Sequence, residues 1–105
     1  MKPALPAAML CAALASTPAP AQDTARDTAG RNLAATCAIC HGTEGRGIRD
    51  SALPPLAGMP AGYLGAQLRA FRDGKRPATV MHQLAKGYSD PQIDALAAWF
   101  AAQKR

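Results

Sequence analysis

Two cysteines and a histidine lie together in the segment Cys37-Ala38-Ile39-Cys40-His41. Two thiols at this spacing can add to the two vinyl groups of one porphyrin, and the imidazole that follows can bind its iron. A cysteine pair of this spacing is also typical of redox dithiols, which lie beside strand–helix–strand units, and of zinc sites, which need four ligands. The sequence has no such strand pattern, and His82 is the only other histidine. The segment therefore predicts one covalently attached haem, with His41 as an axial ligand.

The amino-terminal residues have the organisation of a secretory leader. A positive start, an apolar run over residues 5–14 and the triplet Ala19-Pro20-Ala21 follow one another in the order typical of such leaders. The apolar run is too short to span a bilayer. We therefore predict a signal peptide over residues 1–21 and a monohaem domain over residues 22–105. The mature domain is expected to be periplasmic and soluble, without stable membrane insertion.

Composition narrows the functions that the chain can have. The sequence contains 12 Lys and Arg against 7 Asp and Glu, a net charge of +5, with no long basic run. This pattern is not typical of nucleic-acid binding, and we expect none. Removal of the leader takes Cys11 with it and leaves only Cys37 and Cys40. A short exported chain without a disulfide needs another source of stability, and a covalent haem is one.

The hydrophobic pattern predicts an all-α fold. The expected elements are a helix over about 27–35, a loop over 42–50, an extended proline-rich segment over 51–58, a helix over 60–73, a short turn ending near 86 and a capped helix from 89 onward. Gly30 in the first helix permits close approach of another helix. The glycines of the loop lack the ending of a phosphate loop and follow no strand, so phosphate binding is not expected. The extended segment can offer a backbone carbonyl to the second nitrogen of His41.

Three side chains are candidates for the second axial ligand, namely Met59, Met81 and His82. Met59 lies directly after the proline-rich segment, whereas Met81 lies beyond the second helix, in an irregular stretch that can reach the far face of the haem. We favour Met81, and Met59, His82 and an open face remain alternatives. A thioether opposite an imidazole raises the reduction potential of a haem.

From about residue 30 to residue 103 the sequence resembles the class I cytochromes c. The resemblance is carried by residues 37–45, 53–58, 63–74, 80–81 and 93–100. Within this class the sequence is most similar to the monohaem cytochrome subunit of flavocytochrome c sulfide dehydrogenase, above all over residues 84–90.

The resemblance implies a small fold of three to five helices around one haem c, attached at Cys37 and Cys40. It implies His41 and Met81 as axial ligands, and Pro54 as the residue whose carbonyl holds His41. The implied function is periplasmic electron transfer, as a subunit that accepts electrons from a sulfide-oxidising flavoprotein and is not an enzyme by itself. A freely diffusing shuttle between other redox proteins is an alternative, and a haem enzyme with an open sixth site is another.

Cations cluster in two segments that we expect near the exposed haem edge. They are Arg46, Arg49, Arg72, Lys75 and Arg76. We predict that they form the rim of a docking surface for an acidic redox partner.

Overall fold

The computed structural model describes Met1 and residues 20–105, with side chains described from Thr24 onward. The predicted leader therefore lies almost entirely outside the described residues, and its cleavage stays a prediction. The described range is helical and contains no strand, which confirms the predicted fold class. Its α-helices are α1 (Pro20–Ala34), α2 (Ala38–His41), α3 (Ala61–Arg72), α4 (Met81–Ala85) and α5 (Asp90–Ala101). Within that range no helix combines the length and the apolar character that crossing a bilayer requires.

Helix α1 begins at Pro20, earlier than the start near Asp27 that the sequence predicts. Proline is tolerated in a first helical turn because its missing N–H would have no intrahelical partner there. Residues 21–26 include alanine, glutamine and arginine, which are good helix formers. These residues carry no apolar periodicity, so the pattern of the sequence did not reveal the additional turns.

Helix α5 has the predicted capping box at its start. The Ser89 hydroxyl accepts a hydrogen bond from the backbone N–H of Gln92 at 3.4 Å, and the Ser89 N–H donates to Gln92 Oε1 at 2.9 Å. The reciprocal pair satisfies two N–H groups that an uncapped helix leaves without partners. The helix ends at Ala101 and does not continue to Arg105.

Helices α1, α3 and α5 pack around one apolar cluster. Its buried members are Ala34, Leu64, Leu96, Ala97, Trp99 and Phe100. Gly30 of α1 lies against Trp99 of α5, where a Cβ atom at position 30 would come within 2.8 Å of the Trp99 Cβ. This confirms the predicted close approach of a second helix at Gly30. The cluster fixes the end of α1, and the end of α1 leads directly into the cysteine motif.

Candidate haem-binding site

The two cysteines lie on nearly continuous helical backbone. A 3-10 turn over Ala35–Cys37 connects α1 to α2, and α2 contains Cys40 and His41. Cys37 is half-buried against the apolar cluster, and this burial raises the pKa of its thiol, whereas Cys40 is exposed. Both thiols are free of disulfides. The segment thus presents two unpaired thiols one helical turn apart, the arrangement that attachment to two vinyl groups requires.

His41 is buried, with 8% of its surface exposed, and its ring is oriented by the backbone. Its Nδ1 lies 2.6 Å from the carbonyl oxygen of Pro54. A carbonyl oxygen only accepts hydrogen bonds, so Nδ1 carries a proton, and in the neutral imidazole the free lone pair is then on Nε2. This is the tautomer that binds a metal through Nε2, and the hydrogen bond to Nδ1 makes the ring a stronger ligand.

The loop after His41 folds back and brings Pro54 to the imidazole. The Gly47 N–H donates to the His41 carbonyl at 2.7 Å, and the N–H groups of Leu56 and Ala57 both donate to the Gly45 carbonyl, at 2.7 and 2.9 Å. Gly45 has φ +73°, and a Cβ there would come within 2.7 Å of the Phe100 ring. Glycine is therefore required at this position both for the backbone conformation and for the packing against α5.

Met81 lies on a different element, as the first residue of α4, and is half-buried. Ala85, one turn later, is fully buried, whereas Leu84 is exposed. Residues three and four apart on a helix are neighbours, so Met81 lies beside both the exposed Leu84 and the buried Ala85. His82 follows directly and faces another direction, because adjacent helical residues do not point the same way.

Met59 and His82, the two alternatives for the second axial ligand, have surroundings that differ from those of Met81. Met59 packs against the apolar cluster beside residues such as Leu56 and Leu68. His82 is half-buried, and its Nδ1 has no hydrogen-bond partner among the described residues. Trp99 Nε1 is the other buried side-chain nitrogen that lacks one in that range. Met59 thus packs against the core, whereas Met81, which is equally half-buried, is not among the side chains that pack against the cluster.

The apolar side chains that neighbour the predicted site in sequence fit a bound porphyrin. Leu53, Val80 and Leu84 are exposed to 46%, 50% and 51%. Exposed aliphatic surface is unfavourable in water, and a haem disc is a partner that would bury it. The donor set of two thiols, an oriented imidazole and a thioether also matches haem c. In the described part of the chain no three His, Cys, Asp or Glu side chains group to hold a metal ion, so the zinc alternative has no ligand set there.

An exposed ion-pair network joins α3 to α5 and could not be predicted from the sequence. Arg72 Nη1 lies 2.8 Å from Asp90 Oδ1, and Arg69 Nε lies 3.1 Å from the same oxygen. Arg69 Nη2 also contacts Asp94 at 2.6 Å, and Arg72 Nε contacts Asp73 at 3.1 Å. Hydrogen bonds from Arg72 and Arg69 lower the pKa of Asp90. In the sequence, two arginines three positions apart on α3 and two aspartates four positions apart on α5 each mark one face of a helix. This spacing does not show that the two faces meet.

This network bears on the cations predicted to form a docking rim. Arg72 is one of them, and its guanidinium is paired with Asp73 and Asp90. Arg76 lies over the Phe71 ring, 4.6 Å from its centroid, and donates to Gln67. Arg46, which follows the haem motif in sequence, forms an ion pair with Glu44 and donates a hydrogen bond to the Lys104 carbonyl. Arg49 and Lys75 have neither an ion pair nor a side-chain hydrogen bond among the described residues, so they are the cations left for such a rim.

Comparison with known protein families identifies the family of this chain. The family model described as cytochrome c matches residues 28–104. This chain belongs to the cytochrome c family. Its class I fold and its covalent haem c are thereby confirmed, and its activity class is electron transfer. It is not an enzyme by itself, as the sequence predicts.

Individual relatives are similar over most of the domain. The thiosulfate dehydrogenase electron acceptor of Stutzerimonas stutzeri is 47% identical over 68 residues, which are 62% of this chain and 31% of that protein. The cytochrome subunit of sulfide dehydrogenase from Chlorobaculum tepidum is 36% identical over 81 residues, or 77% of this chain and 72% of that protein. This chain thus spans only about a third of the thiosulfate dehydrogenase electron acceptor that it matches.

The fold is also similar to a solved structure, that of reduced recombinant cytochrome c4 from Pseudomonas stutzeri. The TM-score is 0.71 at 27% sequence identity, and the match covers 78% of this chain and 50% of that chain. The helices of the described range therefore have the arrangement of a known cytochrome c.

Proposed function

We propose that this chain is a periplasmic one-haem electron carrier in which Cys37 and Cys40 hold the porphyrin, and His41 and Met81 bind the iron from opposite faces. The observation that carries the proposal is the 2.6 Å hydrogen bond between His41 Nδ1 and the Pro54 carbonyl. It directs Nδ1 to the backbone and leaves Nε2 available to bind a metal on a buried ring that directly follows the second attachment cysteine, which is what an axial ligand needs.

Met81 is the best candidate for the second ligand. Met59 is engaged in the apolar cluster, and binding iron would remove it from that packing. His82 points to another side of α4 than Met81, and α4 packs against α3. Met81 lies next to the exposed apolar side chains of Val80 and Leu84, which are suitable to cover one face of a porphyrin.

The bound haem supplies the one-electron change between ferric and ferrous iron. The chain holds the ring through two thioethers, orients the imidazole through Pro54 and keeps His41 out of water. Axial thioether and buried surroundings both stabilise the ferrous state, so the pair of ligands sets a high potential. No proton transfer by the protein is required, because both ligands keep their charge in the two redox states.

The electron donor is proposed to be an enzyme that oxidises a reduced sulfur compound. Similarity to the cytochrome subunit of sulfide dehydrogenase supports a sulfide-oxidising flavoprotein as the partner. Similarity to the thiosulfate dehydrogenase electron acceptor supports a second candidate, a thiosulfate-oxidising enzyme. A permanent subunit would bury an apolar interface of standard size, whereas a diffusing carrier would use a smaller one.

Two measurements test the ligands and the donor. The purified ferric protein is expected to be low-spin and to show the methionine-to-iron charge-transfer band in its near-infrared absorption. A high-spin ferric spectrum would instead support an open sixth site. Haem reduction is then followed by stopped flow with sulfide and a sulfide-oxidising flavoprotein, and separately with thiosulfate and a thiosulfate dehydrogenase. Fast reduction in only one mixture identifies the donor, and slow reduction in both contradicts a sulfur-oxidising donor.

Export is tested on the same preparation. Mass spectrometry of the protein from a periplasmic fraction is expected to give a chain that begins at Gln22 and carries one haem. Retention of residues 1–21 on the haem-containing protein would contradict the predicted cleavage.

A further inference from the structure

Residues 73–89 connect α3 to α5 and contain α4 with Met81 at its start; they are called here the Met81 segment. It is flanked by the last residue of α3, Arg72, and the first residue of α5, Asp90. These two side chains form an ion pair across 18 positions of the chain. The pair therefore closes the base of the segment that carries the proposed sixth ligand.

We infer that the ion pairs of Arg69 and Arg72 with Asp90 act as a clamp that keeps the Met81 segment closed, so that these three side chains are positioning residues for the second axial ligand. The inference rests on the proposed function, because it assumes that Met81 binds the iron.

The clamp is built from shared contacts. One oxygen of Asp90 accepts from both Arg69 and Arg72, at 3.1 and 2.8 Å, and Arg69 is also held by Asp94 at 2.6 Å. The arginine side chains are only 33% and 25% exposed, so their stems lie on the protein surface. A network in which each arginine has two carboxylate partners orders its members better than an isolated surface pair does.

The middle of the Met81 segment is held by the packing of α4 against α3 and by few hydrogen bonds outside α4. Its first residues are tied to α3, because Lys75 and Arg76 both donate from their backbone N–H groups to the Ala70 carbonyl, at 2.8 and 3.1 Å. In contrast, the three residues before Val80 take part in no hydrogen bond among those of the described range. Helix α4 has only five residues, which is too short to be stable without tertiary contacts. The position of Met81 therefore depends on the packing of α4 against α3 and also on how the ends of the segment are held.

Loss of the clamp is expected to increase the population of an open segment and not to unfold the protein. The haem stays attached at Cys37 and Cys40, and the packing of α1, α3 and α5 around the apolar cluster does not involve the clamp. Closing a flexible segment costs chain entropy, and the ion pairs offset part of that cost at its base. Because the carboxylates are exposed, salt should weaken the effect.

The test measures how fast Met81 leaves the iron in the ferric holoprotein. Excess imidazole displaces the thioether, and the decay of the methionine-to-iron band gives a rate that is limited by segment opening when imidazole is saturating. Asp90→Asn removes the charge that both arginines share and should accelerate the decay by about two- to tenfold in dilute buffer, the range expected for one or two surface pairs. The acceleration should shrink in concentrated salt.

Three further variants separate the clamp from other effects. Asp90→Glu keeps the charge and should retain a rate near that of the parent. Asp94→Asn leaves the Asp90 contacts in place and should accelerate the decay less than Asp90→Asn. Asp27→Asn makes the same charge change at an exposed pair with Arg31 on α1 and should have no effect.

The outcomes are distinguishable. A parental rate in Asp90→Asn, or equal acceleration by Asp27→Asn, overturns the inference, as does a lower unfolding temperature of Asp90→Asn without faster displacement. If the parent protein lacks the methionine-to-iron band, or if the band persists in Met81→Ala, the proposed ligation has failed and the clamp has no ligand to position.

Discussion

At the scale of single residues, the chemistry depends on one nitrogen of His41. The Pro54 carbonyl oxygen accepts a hydrogen bond from His41 Nδ1 at 2.6 Å, and Nε2 is left available to a metal. Proline fixes its own φ and restrains the residue before it, so the paired prolines at 54 and 55 hold this carbonyl in a stiff segment. A rigid acceptor restricts the imidazole to one orientation, which is what the proposed role of His41 as an axial ligand requires.

Replacement of the proposed thioether ligand gives a direct prediction. Met81→Ala is expected to retain covalent haem, lose the methionine-to-iron band and bind cyanide quickly, because the sixth position opens. The reduction potential should fall, within the roughly 0.8 V that axial ligands span. Absorption spectra and a redox titration measure both effects.

Met59→Ala is the matched control for that variant. Met59 packs against the apolar cluster, so its truncation should destabilise the protein by about 2 kcal/mol and leave the methionine-to-iron band unchanged. Loss of the band in Met59→Ala with its retention in Met81→Ala would assign the ligand to Met59.

At the scale of elements, the contact between α1 and α5 positions the attachment cysteines. Helix α1 runs through a 3-10 turn into α2, so any shift of α1 against α5 would move both thiols. Gly30 permits the contact, since its missing side chain leaves room for the Trp99 Cβ. The close packing of these two helices thus fixes the site through the chain itself.

Two glycine substitutions separate this packing from helix propensity. Gly30→Ala should destabilise the holoprotein by about 1–3 kcal/mol, because the new methyl group would overlap Trp99. Gly62→Ala in α3 meets open space and should stabilise it by about 0.5 kcal/mol, since alanine is the better helix former. Denaturant unfolding measures both changes, and stabilisation by Gly30→Ala would show that α1 and α5 are not closely packed there.

At the scale of the whole molecule, the polypeptide has a small core of its own. Ile93 and Leu96 are the largest side chains that are fully buried among the described residues, while Leu53, Val80 and Leu84 stay exposed. A chain of this size with no disulfide in its described part obtains little stability from such a core. The haem is therefore expected to supply much of the buried apolar surface.

Removal of one attachment point tests this dependence. Cys40→Ala should give little mature holoprotein, and the haem-free chain should lack stable helical structure because the centre of the fold is missing. Haem content by pyridine haemochrome and helix content by far-ultraviolet circular dichroism are the two measurements. A stable, fully helical, haem-free variant would refute the expectation.

The unpaired surface cations lead to a prediction about the rate of association with an acidic redox partner. Arg49 and Lys75 are exposed and unpaired among the described residues, and rim charges act chiefly on association rates. Arg49→Glu with Lys75→Glu should slow electron transfer with an acidic partner in dilute buffer, and the difference should diminish as salt is raised. The absorption spectrum should not change.

A control of equal charge is available on α1. Arg26→Glu with Arg31→Glu makes the same net change on a helix remote in sequence from both cationic segments. Equal slowing by the two double variants would show that only net charge matters. No slowing by Arg49→Glu with Lys75→Glu would favour docking through exposed apolar residues such as Ile39 and Ile48.

The sequence by itself determined the features that depend on neighbouring residues. The haem motif, the all-α class and the capping box at Ser89 follow from spacings within one helical turn, where the backbone alone brings the groups together. The proline-rich segment was also recognised as the source of a carbonyl for His41, and the family resemblance pointed to Pro54 within it.

The tertiary structure decided what depends on contacts between distant residues. It packed Met59 against the apolar cluster and paired Arg72 of α3 with Asp90 of α5. Charges three or four apart mark one face of a helix, but the sequence does not say which helix that face meets. The sequence therefore identifies Arg72 only as one of several cations, and the packing of α3 on α5 shows that its partner is Asp90, 18 positions away.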